Sequence, residues 1–289
     1  MLTYWKCSGS SPVHNRDVAK RGRRRIMSTI RAVLLVACAL LAVALAKSAQ
    51  QDRGKPGGEQ IQIPTGKENL PAEQVFKSIE ILKGKPASRL PGMMKALNGL
   101  LGVECTHCHL ADAWEKEEPE AKQTARRMFK MIGNVSQNYF EGKNEVTCWT
   151  CHHGGPKPSS GSAEIGAATA KLPAERQQVV TALINNLGPD KDRPAEQVFQ
   201  NIQVFKGMSA ERIVRVMTVF TVALGTDCSH CHVADQWDDD HPAKEIAREM
   251  LRMVRDINQQ LFDGQPKVAC WTCHRGAVKP EAAPKSSAD

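Results

Sequence analysis

Four times in its 289 residues the chain sets two cysteines three apart and follows the second with a histidine. The motifs are "CTHCH" at 105–109, "CWTCH" at 148–152, "CSHCH" at 228–232 and "CWTCH" at 270–274. Nothing else in the sequence limits the fold as tightly. Each motif ties two thiols and one imidazole to a single short turn, the spacing of c-type haem attachment. Cys105, Cys108, Cys148, Cys151, Cys228, Cys231, Cys270 and Cys273 are the expected thioether positions for four covalently bound haem c groups. His109, His152, His232 and His274 are the expected proximal iron ligands. Zinc sites also use paired cysteines, but a histidine directly after the second cysteine in all four copies is an odd zinc pattern. Exported disulfides would not need the histidines at all. Aromatic residues make up only 5% of the chain, and four macrocycles would supply the large apolar bodies those residues do not.

The motifs come in pairs because the chain is duplicated. "PAEQVFKSIEILKG" at 71–84 returns as "PAEQVFQNIQVFKG" at 194–207, an offset of 123. Cys105 and Cys228 keep that offset, and Cys148 and Cys270 are 122 apart. Such repetition reads as two structural units, at 69–158 and 192–280. Between them, 159–191 is a Gly-, Pro-, Ser- and Ala-rich linker with one short helix in "LPAERQQVVTALINNLG". Residues 47–68 and 281–289 read as flexible tails.

The apolar spacing within each unit is helical. Val75, Phe76, Ile79 and Leu82 predict a helix between Pro71 and Gly84. Met94 and Leu97 mark a second helix, and Met128, Met131, Ile132 and Val135 one face of a third. No useful strand alternation appears. The expected fold is all-α: a two-haem helical module present twice, with haems forming much of the core.

The net charge of +8 belongs mostly to the first 46 residues, which hold eight of the 39 Lys/Arg and one of the 31 Asp/Glu. The body is close to neutral and carries no basic face for nucleic acid. The leader reads as a secretory signal starting at Met27, with apolar residues 32–46 ending in "ALA". That run is shorter than the roughly 20 residues of a membrane span. "LVAC" at 35–38 offers a second reading, lipidation at Cys38, and "RRR" at 23–25 faintly resembles a twin-arginine signal. Export to the periplasm is the expectation, with membrane attachment through the leader or a lipidated Cys38 as an option.

A low-spin carrier needs a sixth ligand on each iron, and methionine raises the potential relative to histidine. Met94 and Met217 each lie 11 residues before a first-motif cysteine. Before the second motifs, two matched pairs compete, Met128 with Met250 and Met131 with Met253, and spacing alone does not separate them. Of the remaining histidines, His107 and His230 are motif fillers, and His153 and His241 read as surface. Trp149 and Trp271 read as packing either on haem edges or in an ordinary core.

"QVFKSIEILKG", "MMKALNGLLGVECTHCH", "ARRMFKMIGNV", "VTCWTCHHG", "LGTDCSHCH", "REMLRMVRDIN" and "CWTCHRG" together resemble the tetrahaem cytochrome c subunit of photosynthetic reaction centres. The resemblance covers 69–158 and 192–280. It implies axial ligands at Met94, Met128 and Met217, with Met131 and Met253 left to packing. The family's best-known members take a histidine for the fourth haem from the stretch that reads "VSQNYFEGKNEV" here, and this chain has none there. Met250 occupies the matching position in the second unit, so the expectation is four His/Met haems. The implied function is an electron carrier, not an enzyme, that passes single electrons between redox partner proteins and a membrane-bound electron-transfer complex such as the reaction centre. A multihaem reductase with one open iron and a haem-based filament are the alternatives.

Overall fold

The fold is given by a computed structural model that describes residues 61–233 and 236–284. The leader, its Met27 start and Cys38 lie outside the described residues. The described chain is helical, with isolated bridges and no strand. Its α-helices are α1 (Ala72–Val75), α2 (Arg89–Leu101), α3 (Glu120–Tyr139), α4 (Cys148–His152), α5 (Ser162–Ala170), α6 (Ala174–Leu187), α7 (Ala210–Leu224), α8 (Pro242–Phe262) and α9 (Cys270–His274). Short 3₁₀ turns cover Cys105–His107, Gly188–Asp192, Ala195–Gln197 and Cys228–His230. The order loop, helix, 3₁₀ turn, long helix, short helix therefore occurs twice. No helix among the described residues is long and apolar enough to cross a membrane.

The long helices follow their periodicity. α3 starts after Pro119 with Glu120 in its first turn, where a negative charge suits the helix dipole. α8 starts at Pro242, and the His241 side chain caps it by accepting from the Ala243 N–H at 3.2 Å. α2 and α7 both stop at a left-handed glycine, Gly102 and Gly225.

The helix expected over 71–84 is not formed. α1 ends at Val75, Phe76 turns extended, and Ser78 adopts a positive φ of 62°. Tertiary pairing takes over the backbone groups that a helix would use. The Ala72 N–H donates to Lys85 O at 2.8 Å, the Ala87 N–H to Leu70 O at 2.9 Å, and the Gly84 N–H to the Glu73 carboxylate at 2.9 Å. The second copy closes the same loop through Ala195 N–H to Met208 O (2.7 Å) and Gly207 N–H to Glu196 (2.9 Å). The 47–68 tail is likewise tied at its end, since Glu68 O accepts from the Ser88 N–H at 2.9 Å.

The 159–191 linker carries two α-helices rather than one. Its Ala-rich stretch forms α5, because alanine loses least on entering a helix. α5 and α6 both pack on α7, and Arg176 donates to Thr226 O at 3.2 Å. Gly161 lies so close to Trp271 that a Cβ there would meet the indole Cγ at 2.1 Å. This cover makes α7 bury six residues where α2 buries only Leu90.

The two copies meet like to like, α3 against α8 and α4 against α9. Val135, Met253 and Ile257 form the buried centre of this contact, flanked by Met131, Tyr139, Phe140, Met250, Leu261 and Phe262. Each large apolar side chain buried there contributes about 1.5–3 kcal/mol. Tyr139 adds a hydrogen bond to the Asp256 carboxylate across the contact.

Candidate functional site

The four motifs adopt two local forms. Cys105–His107 and Cys228–His230 are 3₁₀ turns, and His109 and His232 each donate a backbone N–H to the first cysteine's carbonyl at 3.0 Å. α4 and α9 are short α-helices started by a threonine at the third position. The Thr150 and Thr272 hydroxyls accept the N–H of Thr147 at 3.0 Å and of Ala269 at 3.1 Å. Thr272 is 1% exposed, the largest fully buried side chain among the described residues. In both forms one turn carries the two cysteines and the histidine, and all eight of these thiols are free and half-covered.

The histidines share one arrangement. Nδ1 of His109 meets Trp114 O at 3.1 Å, Nδ1 of His152 meets Gly155 O at 2.9 Å, Nδ1 of His232 meets Trp237 O at 3.1 Å, and Nδ1 of His274 meets Ala277 O at 3.1 Å. A carbonyl can only accept, so each Nδ1 carries a proton, and in the neutral ring Nε2 then keeps its lone pair. That is the tautomer and orientation a histidine needs to bind a metal through Nε2. Burial pushes the His109 and His232 pKa values below the ordinary histidine value, which favours the neutral ligating form. This donor set, two thiols and one oriented imidazole on a turn, fits covalent haem. Trp149 Nε1, inside the second motif, is buried without a hydrogen-bond partner. Among the described residues no three His, Cys, Asp or Glu side chains converge on a common point for a bare metal ion.

Contacts between main chains arrange the motifs. The Gly154 N–H, just past α4, donates to Leu100 O at 3.2 Å, and the Gly276 N–H donates to Ala223 O at 2.9 Å. A Cβ on Gly102 would meet Gly154 O at 2.2 Å, and one on Gly225 would meet Gly276 O at 1.9 Å. Each copy thus clamps the end of its methionine-bearing α2 or α7 against the turn after its second motif. Across the copies, the Sγ atoms of Cys151 and Cys273 are 3.3 Å apart.

The methionines lie where the helices put them. Met94 and Met217 are half-buried on α2 and α7, and Met128 and Met250 on α3 and α8. Met253 is buried in the contact between copies with Met131 against it, and Met250 also touches that cluster. His153 is not a surface residue: its side chain is 6% exposed, packs tilted against Trp149 with ring centroids 5.4 Å apart and bonds Thr150 O at 3.1 Å. His241 caps α8 instead of standing free in its acidic loop.

Three matched pairs escape a reading of the motifs alone. Trp114 and Trp237 supply the carbonyls for His109 and His232, and their rings pack tilted against those imidazoles with centroids 5.5 and 5.4 Å away. Lys122 and Lys244 donate to the same two carbonyls, both at 2.9 Å. Arg126 and Arg248 anchor the first loop of each copy to its long helix. Arg126 reaches Ser78 O at 2.8 Å as well as Glu117 and Glu80, and Arg248 reaches Asn201 Oδ1 at 3.0 Å as well as Asp240. Arg126 holds the Glu117 carboxyl down to about 2. Their signal in the sequence is the repeat offset, since each pair is 122 or 123 residues apart.

Helices carrying duplicated turns of two thiols and one oriented imidazole define a c-type cytochrome. The family described as "Photosynthetic reaction centre cytochrome C subunit" matches residues 44–173 and again 160–287, and the chain belongs to that family. It is similar to the photosynthetic reaction center cytochrome c subunit of Rubrivivax gelatinosus, at 25% identity over 249 residues, 72% of this chain and 68% of that protein. The subunit of the same name from Thermochromatium tepidum is 26% identical over 256 residues, 72% of this chain and 61% of that protein. Cytochrome c-554 of Chloroflexus aurantiacus is 39% identical over 84 residues, 27% of this chain and 20% of that protein.

Proposed function

We propose that the chain is an exported tetrahaem c-type cytochrome that passes single electrons to a membrane electron-transfer complex, the photosynthetic reaction centre named in its relatives. The observation that carries this reading is the common anchoring of all four motif histidines through Nδ1, which leaves Nε2 unengaged by that contact on each turn that also carries a cysteine pair. Bound haem iron would supply one-electron exchange between ferric and ferrous states, its potential set by axial ligand, burial and hydrogen bonding.

The chain's own contacts support a linear arrangement. The clamp of Gly102 on Gly154 joins motif one to motif two, and that of Gly225 on Gly276 joins motif three to motif four. The contact of Cys151 with Cys273 joins motif two to motif four. The motifs therefore follow one another as first, second, fourth, third, with the copies back to back. Met94, Met128, Met217 and Met250 are the proposed sixth ligands, one to each iron, which leaves none open for substrate. The leader would deliver the protein to the periplasm, cleaved after Ala46 or held by lipid at Cys38.

Intact mass and a pyridine haemochrome assay of the purified holoprotein test the haem count, with four expected. Carbon monoxide added to the fully reduced protein tests the ligands. An unchanged spectrum is expected, and a change at one of the four haems would overturn the relay in favour of a reductase.

A further inference from the structure

The geometry points to Lys122 and Lys244 as positioning residues that raise the reduction potentials of the haems held by His109 and His232. The inference rests on the haem reading above and concerns what surrounds the proximal imidazoles. In the first motif of each copy the carbonyl that accepts from the histidine is shared with an ammonium. Trp114 O takes the His109 Nδ1–H at 3.1 Å and Lys122 Nζ at 2.9 Å, and Trp237 O takes the His232 Nδ1–H at 3.1 Å and Lys244 Nζ at 2.9 Å. In the second motifs the Gly155 and Ala277 carbonyls accept from His152 and His274, with no cation on either among the described residues.

The lysines occupy positions that local physics disfavours. Both are the third residue of their helix, α3 or α8, where the helix dipole repels a positive charge. The Lys122 side chain is 11% exposed, and burying an ammonium is costly unless it is fully bonded. Each is held by a second carbonyl, Lys116 O at 2.8 Å for Lys122 and Asp239 O for Lys244. Glu117 also pairs with Lys122 at 3.0 Å, which reduces its field without moving it off the Trp114 carbonyl. A local rule broken identically in two copies marks a site where function overrides propensity.

The direction of the effect follows from the shared oxygen. An imidazole that donates strongly from Nδ1 becomes a more basic ligand and favours ferric iron. An ammonium on the same acceptor draws on its lone pairs and weakens that donation. Its positive charge also disfavours the extra charge of the ferric state. Both effects raise the potential, so each copy carries one haem with a cation behind its proximal histidine and one without.

Redox titration of the full-length, fully haem-loaded protein tests this, comparing the parent with Lys122→Met and Lys244→Met. Each variant is expected to move one of the four midpoint potentials downward, a different one in each, and Lys→Arg is expected to restore it. Proton NMR of the reduced protein separates tuning from mere loop support. With the ammonium gone and the loop intact, one histidine ring N–H resonance moves downfield as its hydrogen bond strengthens. A loosened loop would move it upfield. Should a Met variant fail to accumulate, Lys→Gln removes the charge while keeping an N–H donor, and the same downward shift is expected. Unchanged or raised potentials in variants that retain four haems, or an upfield resonance, would overturn the lysine assignment and leave the haem reading standing. Fewer than four haems in the parent protein would overturn the haem reading itself.

Discussion

Cys151 and Cys273 stand 122 residues apart in the chain and 3.3 Å apart in space. They are equivalent positions of the two copies, and the contact puts the second motif of one beside the second motif of the other. On the four-haem reading proposed above, Cys151→Ser should leave one haem vinyl group conjugated with its macrocycle. One of the four α-bands then moves to longer wavelength, and the other three stay in place. An absorption spectrum of the reduced protein checks this.

The buried centre of the contact between copies is small, with Ile257 packed among Val135 and Met253. Ile257→Ala should cost about 2–5 kcal/mol, the range for emptying a packed aliphatic site. Thermal unfolding of the holoprotein should show the loss as a lowered midpoint with the haem content unchanged.

Gly102 and Gly225 have φ near +61°, and each abuts a carbonyl of the turn after the second motif. Gly225→Ala should therefore destabilise by more than the roughly 1 kcal/mol that a left-handed alanine costs alone. Gly99, inside α2 with open space around its Cα, is the control. Gly99→Ala should stabilise by about 0.5–1 kcal/mol. Chemical denaturation of the two variants side by side gives the comparison.

Glu117 is held to about 2 by Arg126, below its usual 4.5. A carboxylate with a depressed folded pKa contributes stability that is full above its unfolded pKa. That stability drains away as pH falls from about 4.5 towards 2. Glu117→Gln should flatten the stability profile across that window and leave it flat above pH 5, as read by unfolding midpoints across pH.

Met128 and Met131 lie one helical turn apart on α3, and only Met131 joins the core between the copies. If Met128 is the sixth ligand proposed above, Met128→Leu should open one iron to carbon monoxide. Met131→Leu, a swap of similar volume in the core, should cost less than about 1.5 kcal/mol and leave the spectrum unchanged.

Much of the candidate site was legible because its chemistry is local. Cys148, Cys151 and His152 fall within the five residues of α4, so the spacing alone puts them on one short turn. The α3 helix was legible because Met128, Met131, Ile132 and Val135 keep a helical spacing along one face. The segment after Pro71 was not, since Val75, Phe76, Ile79 and Leu82 fit a helix equally well. Pairing with Lys85, Pro86 and Ala87 from outside the segment decided against it. His153 read as exposed because nothing in "CHHGG" announces that Trp149 and Thr150 will enclose it. Trp114 and Lys122 carry no motif of their own. Only their echo at Trp237 and Lys244 separates them from background.

The like-to-like packing of α3 on α8 has a consequence for how such a protein can vary. Two separate chains meeting in this way would assemble by collision, at a rate set by their concentration, and every substitution would fall on both faces at once. Joined through residues 159–191, the halves find each other at the fixed local concentration a tether imposes. They are also free to differ. Ser78 answers to Asn201, Glu117 to Asp240, and Gly161 has its Trp271 on one side alone. A tethered pair can thus keep one shared seam while giving its two ends separate characters, as the proposed relay, taking electrons at one end and passing them on at the other, would use.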